Sequence, residues 1–235
     1  MSHFLLAIET STEFCSVALA NSQRTLLKHE PLGLHTSTYV LPFIQTLLGE
    51  AGVRLADLNA IAFGAGPGAF TGLRNACALA QGLAFGLGIP LIAVDTLMAC
   101  AELVRREEGC EELLVAIDAR MGEVYWAEYH YEDNRWRTLT APQLTVSGAI
   151  YAIQPRCRLV GNACAIFSDI LVGRGFHQFP LAMPRADCVA YLALEQMAAG
   201  DMTSPEKALP HYVRNKVALT TVEREIFAYT QGRSI

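Results

Sequence analysis

Short apolar runs and helically spaced apolar positions alternate along the first hundred residues. The runs Phe4–Ile8, Phe14–Ala20 and Thr25–Glu30 are separated by short polar turns and predict three strands. Strands joined by such short turns are antiparallel neighbours. A helix is then predicted over residues 36–48, where apolar side chains recur at helical spacing: Val40, Leu41, Ile44, Leu47 and Leu48.

A glycine-rich loop lies at the centre of this pattern. It spans Gly64–Arg74, with the sequence GAGPGAFTGLR, between a predicted strand over Ala60–Phe63 and a predicted helix from Thr71 to about Gly86. Such a loop directs backbone N–H groups towards an anion or lets another backbone approach closely. An ordinary tight turn of an α/β domain is the alternative, because the spacing matches neither the Walker A nor the dinucleotide-binding motif.

The order of elements restarts in the second half of the chain. The run Leu113–Asp118 repeats Leu5–Glu9, an apolar strand that ends in a carboxylate, and Arg158–Asn162 repeats the strand and glycine before a helix. Further helices are predicted over residues 95–106, 163–172 and 185–199. The order β-β-β-α-β-α thus occurs twice and predicts an N-terminal lobe (1–108), a C-terminal lobe (109–204) and a tail (205–235).

These two duplicated α/β lobes resemble the superfold shared by actin, hexokinase and Hsp70 (ASKHA). In that superfold a nucleotide lies in the cleft between the lobes, and two hairpin turns with an acidic residue and glycines face it. Here the first turn, Glu9–Glu13, contains no glycine, and in the second, Asp118–Gly122, Ala119 and Arg120 stand where a glycine is expected. The turns therefore indicate a degenerate phosphotransfer site.

Several residues of these turns are candidates for binding or chemistry. The carboxylates of Glu9 and Asp118 suit general acid–base catalysis if they face each other, or a structural network with Arg120 or Arg74. Likewise, the turn hydroxyls either bind an anion or satisfy the backbone of the turn. The candidate anion or nucleotide contacts are Thr10, Ser11, Thr12, Gly66, Gly68 and Arg120.

Composition and charge exclude some classes of function. The chain has 235 residues, 52% of them hydrophobic, 17% charged, and a net charge of −5, which argues against a protein that grips nucleic acid by itself. No Cys-x-x-Cys and no closely spaced histidine pair supports a metal site. The absence of a signal peptide or membrane-length apolar segment, with seven irregularly spaced cysteines, predicts a cytoplasmic protein without a membrane association.

Four segments together resemble the bacterial TsaB (YeaZ) family and cover most of the chain. Their sequences are LAIETST at residues 6–12 with SVAL at 16–19, the glycine loop through Arg74, IDARMGEVY at 117–125, and HYVRNKVALTT at 211–221. Glu9 stands where aspartate is common in the family. A packed crossing tail is the alternative interpretation of the last segment.

The resemblance implies a function in tRNA modification. TsaB is a non-catalytic scaffold and activator of its paralogue TsaD, which works with the ATPase TsaE. The complex transfers threonylcarbamoyl to N6 of adenosine 37 in tRNAs that read codons beginning with A. TsaD binds its metal through two histidines on the helix after the fifth strand, and the matching helix here, near Asp95–Cys100, has none. We therefore expect no cofactor of its own, ATP and metal in the partner subunits, and tRNA contact only through the complex.

Two other classes of function are open at this stage. A stand-alone ATP-dependent kinase of the same superfold requires tight Mg-ATP binding, and the missing turn glycines count against it. A metallopeptidase requires metal ligands, and the missing histidine pair counts against it.

The partner surface is predicted on the first-lobe helices, residues 36–48 and 71–86. The second of these is apolar nearly all round, and such a helix must be covered on every side. Either a partner covers it, or it lies centrally within its own lobe. In the family this helix pair binds TsaD or, in TsaB alone, a second TsaB. The predicted interface residues are Thr38, Leu41, Gln45, Ala76, Ala78, Leu79 and Leu83.

Overall fold

The structure, a computed structural model, describes residues 3–150, 157–167 and 178–214. The first half of the chain forms five strands and three helices: β1 Phe4–Glu9, β2 Phe14–Ala20, β3 Thr25–Pro31, α1 Thr36–Ala51, β4 Leu58–Gly66, α2 Phe70–Leu87, β5 Leu91–Asp95 and α3 Thr96–Glu108. The described part of the second half forms β6 Glu112–Arg120, β7 Glu123–Glu132, β8 Arg135–Val146, β9 Arg158–Val160, α4 Ala163–Ile166, β10 Gln178–Phe179 and α5 Ala186–Ala199.

The strands form two five-stranded sheets of the same topology, which confirms the predicted duplication. The first sheet has the order β3-β2-β1-β4-β5 and the second the order β10-β9-β6-β7-β8. In each, the first strand of the lobe pairs antiparallel with the second and parallel with the fourth. The protein is therefore an α/β protein of two ASKHA-like lobes, and its two leading hairpin turns lie at equivalent positions.

One predicted strand was too short. β4 continues through the predicted glycine loop to Gly66, because Gly64 and Gly66 still pair with Val94 and Asp95 of β5. β8 runs to Val146, since Leu144, Thr145 and Val146 still pair with β7. Of the predicted helix over residues 163–172, Ala163–Ile166 is helical and residues 168–172 lie outside the described residues.

Two helices, α3 and α5, pack across the boundary between the lobes. α1 and α2 pack on one face of the first sheet, through Ile44 and Ala80 among others. The opposite face, which includes Ala7 and Ala62, packs against Val189 and Ala193 of α5. α3 lies between the two sheets: Ala99 and Leu103 pack in the core cluster of the first sheet, and Leu97 and Val104 in that of the second. The packing of α3 and α5 therefore joins the two lobes.

Candidate functional site

The two hairpin turns, the start of α2 and the tail line one cavity of about 650 Å³ between the lobes. Thr10 and Ser11 of the first turn line this cavity, and so do Asp118 and Arg120 of the second turn. A volume of this size is typical of pockets for small molecules. The predicted juxtaposition of the two turns across a cleft is therefore present.

The carboxyl group of Glu9 is buried beneath the first turn. Its Oε1 accepts a hydrogen bond from the backbone N–H of Ser11 at 2.5 Å, and Oε2 has no hydrogen-bond partner among the described residues. A Cβ at Gly64 would collide with Oε2, so glycine makes room for this carboxyl. Burial raises the pKa of Glu9 from 4.5 to about 7, against smaller lowering effects of the Ser11 hydroxyl and N–H. Glu9 is thus a buried carboxyl whose protonated form is favoured by burial, rather than an exposed carboxylate facing the cleft.

The glycine loop packs directly on the first turn. The carbonyl oxygen of Ser11 accepts a hydrogen bond from the N–H of Ala69 at 2.7 Å, and the Thr10 hydroxyl donates to the carbonyl oxygen of Gly72 at 2.7 Å. A Cβ at Gly72 would collide with the carbonyl oxygen of Thr10. The close approach of another backbone, one of the two interpretations that the sequence allowed, is therefore what these contacts show.

The second turn is shaped by two non-glycine residues with positive φ. Arg120 and Met121 have φ values of 65° and 60°, a region that side chains rarely adopt outside turns. The carboxylate of Asp118 accepts a hydrogen bond from the N–H of Arg120 at 2.9 Å and lies 3.3 Å from its guanidinium, while Asn162 accepts from the N–H of Asp118. Asp118 is therefore paired with Arg120, as the structural interpretation predicted, and not with Glu9.

Arg74 contacts aromatic side chains. Its guanidinium lies 3.7 Å from the centre of the Phe70 ring, and its Nε donates to the hydroxyl of Tyr212 at 3.1 Å. In the described part of the chain it has no carboxylate partner, so of the two arginines considered for the carboxylate network it is Arg120 that takes part. Arg74 braces an aromatic pair, Phe70 and Tyr212, that forms one wall of the cleft.

The predicted anion-binding residues fall into two groups. Thr10, Ser11, Thr12, Gly68 and Arg120 line the cleft, whereas Gly66 does not and faces the tail instead. The hydroxyls of Thr10 and Thr12 already form hydrogen bonds within the loops. Thr10 donates to the carbonyl oxygen of Gly72, and Thr12 accepts from the N–H of Phe14 at 3.3 Å. The positions of these residues do not test whether an anion binds here, and anion binding stays a prediction.

The sequence analysis missed several residues of the cleft. His211, Tyr212 and Arg214 of the tail line it, and so does Asn162. The signal for Asn162 was present, because it follows the glycine of the repeated strand-glycine pattern. The three tail residues belong to the family signature at 211–221, but nothing local indicated that they approach the turns.

A polar contact links the two lobes beside the cleft. Asp95 caps α3 by accepting hydrogen bonds from the N–H groups of Leu97 and Met98. Its second oxygen accepts from the hydroxyl of Tyr129, on β7, at 2.7 Å. Burial raises the pKa of Asp95, and these hydrogen bonds oppose the shift.

The predicted partner residues lie on α1 and α2 with unequal exposure. Leu41 is 49% exposed, and Thr38, Gln45 and Ala78 are exposed with it. Leu79 and Leu83 are half-buried. Ala76 is only 2% exposed and packs in the core of its lobe, so its side chain is not on the surface and that assignment was wrong.

Of the two interpretations of α2, the structure contradicts the one in which the helix lies centrally within its own lobe. One face packs inwards, while Ala78, Gly82 and Gly86 are exposed and Phe85 is 70% exposed. An apolar outer surface of this kind on a helix is uncommon where only water covers it. The predicted interface residues did not include Phe85. Because α2 is apolar nearly all round, its sequence does not show that Phe85 lies on the outer face.

Two kinds of feature are absent from residues 3–150, 157–167 and 178–214. No group of three or more histidine, cysteine, aspartate or glutamate side chains is placed to hold a metal ion. None of the described helices combines the length and apolar character that crossing a membrane requires.

Known proteins match nearly the whole chain. A family model described as "TsaD: tRNA N6-adenosine threonylcarbamoyltransferase" matches residues 33–213. The Escherichia coli "tRNA threonylcarbamoyladenosine biosynthesis protein TsaB" is 37% identical over 91% of this chain and 96% of its own length. The protein of the same name from Haemophilus influenzae is 34% identical over 91% and 94%. This chain belongs to the TsaB (YeaZ) family.

A solved structure agrees with this family membership. YeaZ from Pseudomonas aeruginosa is 38% identical, with a TM-score of 0.81 over 89% of this chain and 99% of that chain. The motifs on which the TsaB resemblance rests converge on the cleft: the first turn, the glycine loop and the second turn all contribute to its walls. The family signature of the tail is described as far as Arg214, and residues 215–221 lie outside the described residues.

Proposed function

We propose that this protein is a non-catalytic scaffold and activator subunit in the formation of threonylcarbamoyladenosine (t6A) in tRNA. It works with TsaD and TsaE to transfer threonylcarbamoyl to N6 of adenosine 37 in tRNAs that read codons beginning with A. Its support is the similarity over nearly the full length to proteins named for t6A biosynthesis. The net charge of −5 favours tRNA contact through the complex rather than by this chain alone.

One observation supports the non-catalytic part of the proposal: several of the groups that could wrap a phosphate are engaged within the chain. The Thr10 hydroxyl is bonded to Gly72, and the N–H of Ala69 is bonded to Ser11. The carboxylate of Asp118 forms an ion pair with the guanidinium of Arg120. The Arg120 side chain is 84% exposed and lies at the second turn. A phosphate would have to displace these contacts before it reached the backbone. ATP and the metal therefore belong to the partner subunits.

The surface that serves this role is the exposed outer face of α1 and α2. Leu41, Ala78 and Phe85 give it apolar character, and the small side chains of α2 allow a helix to approach closely. Apolar surface of this type favours a protein partner. TsaD and a second copy of this chain would use the same face, so homodimer and heterodimer exclude each other.

Co-purification tests the proposal. The protein is isolated from its native cell at low expression, and bound proteins are identified by mass spectrometry; TsaD is expected in stoichiometric amount. The isolated chain is then incubated with tRNA and threonylcarbamoyl-adenylate, and t6A is measured by liquid chromatography and mass spectrometry. We expect no t6A. Robust transfer by the chain alone would contradict the non-catalytic role, and rapid Mg-ATP-dependent phosphorylation of a small molecule would favour the kinase alternative.

A further inference from the structure

The described part of the tail, residues 205–214, crosses from one lobe to the other beside the cleft. It starts on α2, where the side-chain amide of Gln81 donates to the carbonyl oxygens of Pro205 and Ala208 at 2.9 and 3.0 Å. Ala208 is 2% exposed. The start of the crossing is therefore fixed to the first lobe by hydrogen bonds and burial.

The next attachment is to the end of β4. The N–H of His211 donates to the carbonyl oxygen of Ala65 at 2.6 Å. The carbonyl oxygen of His211 lies against Gly66. A Cβ added at Gly66 would lie only 2.6 Å from this oxygen, and Gly66 also has a positive φ of 119°. Glycine is thus required here because the tail backbone occupies the space that a side chain would take.

The tail reaches the second lobe through Arg214. One guanidinium nitrogen donates to the carbonyl oxygen of Ala119 at 2.9 Å and to the carboxylate of Glu123 at 2.7 Å. The Arg214 side chain is 13% exposed and that of Glu123 is 33% exposed. A partly buried, charge-assisted pair of this kind is stronger than an ordinary surface ion pair. It joins the tail to both ends of the second turn.

We propose that residues 208–214 form a strap that fixes the relative position of the two lobes across the cleft, with Arg214 as its clasp. The lobes are also joined through α3, whose N-terminal Asp95 bonds to Tyr129 and whose Glu102 accepts from the indole N–H of Trp136 at 2.9 Å. They are joined again through α5, which packs on the first sheet and whose Ala186 N–H donates to the hydroxyl of Ser16. None of these contacts involves the second hairpin turn, so the strap adds an attachment that holds this turn to the first lobe. The strap rests on the contacts of the tail alone and not on the proposed role in t6A formation.

The test measures the distance between the lobes. Spin labels are placed at His35→Cys and Val146→Cys, exposed positions near the cleft ends of the two lobes, in a Cys110→Ser background, since Cys110 is the one cysteine that is not buried. The labelled parent should give a single narrow distance distribution by pulsed electron resonance. Arg214→Met should broaden it and lengthen its mean.

Hydrogen exchange provides a second readout without labels. In Arg214→Met, exchange in the peptide that covers residues 118–124 should be about tenfold faster, as expected for the loss of a charge-assisted bond. The matched control is Arg24→Met, because Arg24 also donates to a carbonyl oxygen, that of Ala51, but within the first lobe. It should leave both readouts unchanged.

The outcomes decide the proposal. A folded Arg214→Met protein with the distance distribution and exchange rates of the parent would overturn the strap. If that variant does not fold, Glu123→Gln replaces it, because the amide keeps an acceptor and loses only the charge. A smaller change in the same direction is then expected, and no change in either readout would equally overturn the proposal.

Discussion

Replacing Glu9 by glutamine should remove most of the loss of stability that this buried carboxyl causes between pH 5 and pH 8. Its pKa is about 7 in the folded protein, against 4.5 for an exposed glutamate, because burial disfavours the charged form. The folded state therefore binds the proton more tightly. Its contribution to stability is complete below pH 4.5 and is lost as the pH rises through 7.

The magnitude follows from the size of the shift. One pKa unit corresponds to about 1.4 kcal/mol, so the Glu9 carboxyl lowers the free energy of unfolding by about 2.5 kcal/mol between pH 5 and pH 8. For a protein of this size, that corresponds to a fall in melting temperature of about 5–10 °C. Glutamine has no proton to lose in this range, and its carbonyl oxygen can still accept from the N–H of Ser11.

Urea unfolding of parent and Glu9→Gln at half-unit steps from pH 5 to pH 8 measures the difference. The comparison with the parent is necessary because burial lowers the pKa of His29, which gives a slope of the opposite sign. Glu13→Gln is the matched control, since Glu13 is exposed in the same turn, and it should follow the parent curve. Parallel curves for parent and Glu9→Gln would refute the interpretation of Glu9 as a buried carboxyl of raised pKa.

Three further predictions concern the glycine loop, the outer helix face and the cleft. Gly72→Ala should destabilise the protein by about 2 kcal/mol in urea unfolding, because its Cβ collides with the Thr10 backbone, whereas Gly82→Ala, in open space on the same helix, should stabilise it slightly. Ala78→Glu should weaken self-association and TsaD binding at least tenfold by burying an unpaired charge, while Ala198→Glu, an exposed alanine on α5, should not; equal affinities in the two variants would place the interface elsewhere. Calorimetry should detect weak or no Mg-ATP binding to the isolated chain, and low-micromolar affinity would contradict the degenerate cleft.

The strands and the duplication were predictable because their signals are local and occur twice. The two runs Leu5–Glu9 and Leu113–Asp118 have the same pattern and occupy the same position in their sheets. The packing of α5 on the first sheet and of α3 between the two sheets was not predictable in this way. An apolar helix face shows that a helix packs on a sheet, but it does not show which of two similar sheets it packs on.

The character of individual site residues depended on contacts between distant segments. Glu9 at a strand end is compatible with either a catalytic or a buried carboxylate, and only the space left by Gly64 distinguishes them. Ala76 and Ala78 are chemically identical, so the sequence could not show that one is buried and the other exposed. The tail contacts of Gly66 and Glu123 span more than ninety residues of sequence and have no local signal.

The most direct test of the proposed role is the rate of t6A formation by reconstituted TsaD and TsaE from the same organism. The reaction contains tRNA, Mg-ATP and threonylcarbamoyl-adenylate and is run with and without this chain at equal TsaD concentration. The proposal predicts that t6A forms at a substantial rate only when the chain is present and that the rate saturates at one copy per TsaD. The same rate in its absence would contradict the proposal that this protein is the activating subunit.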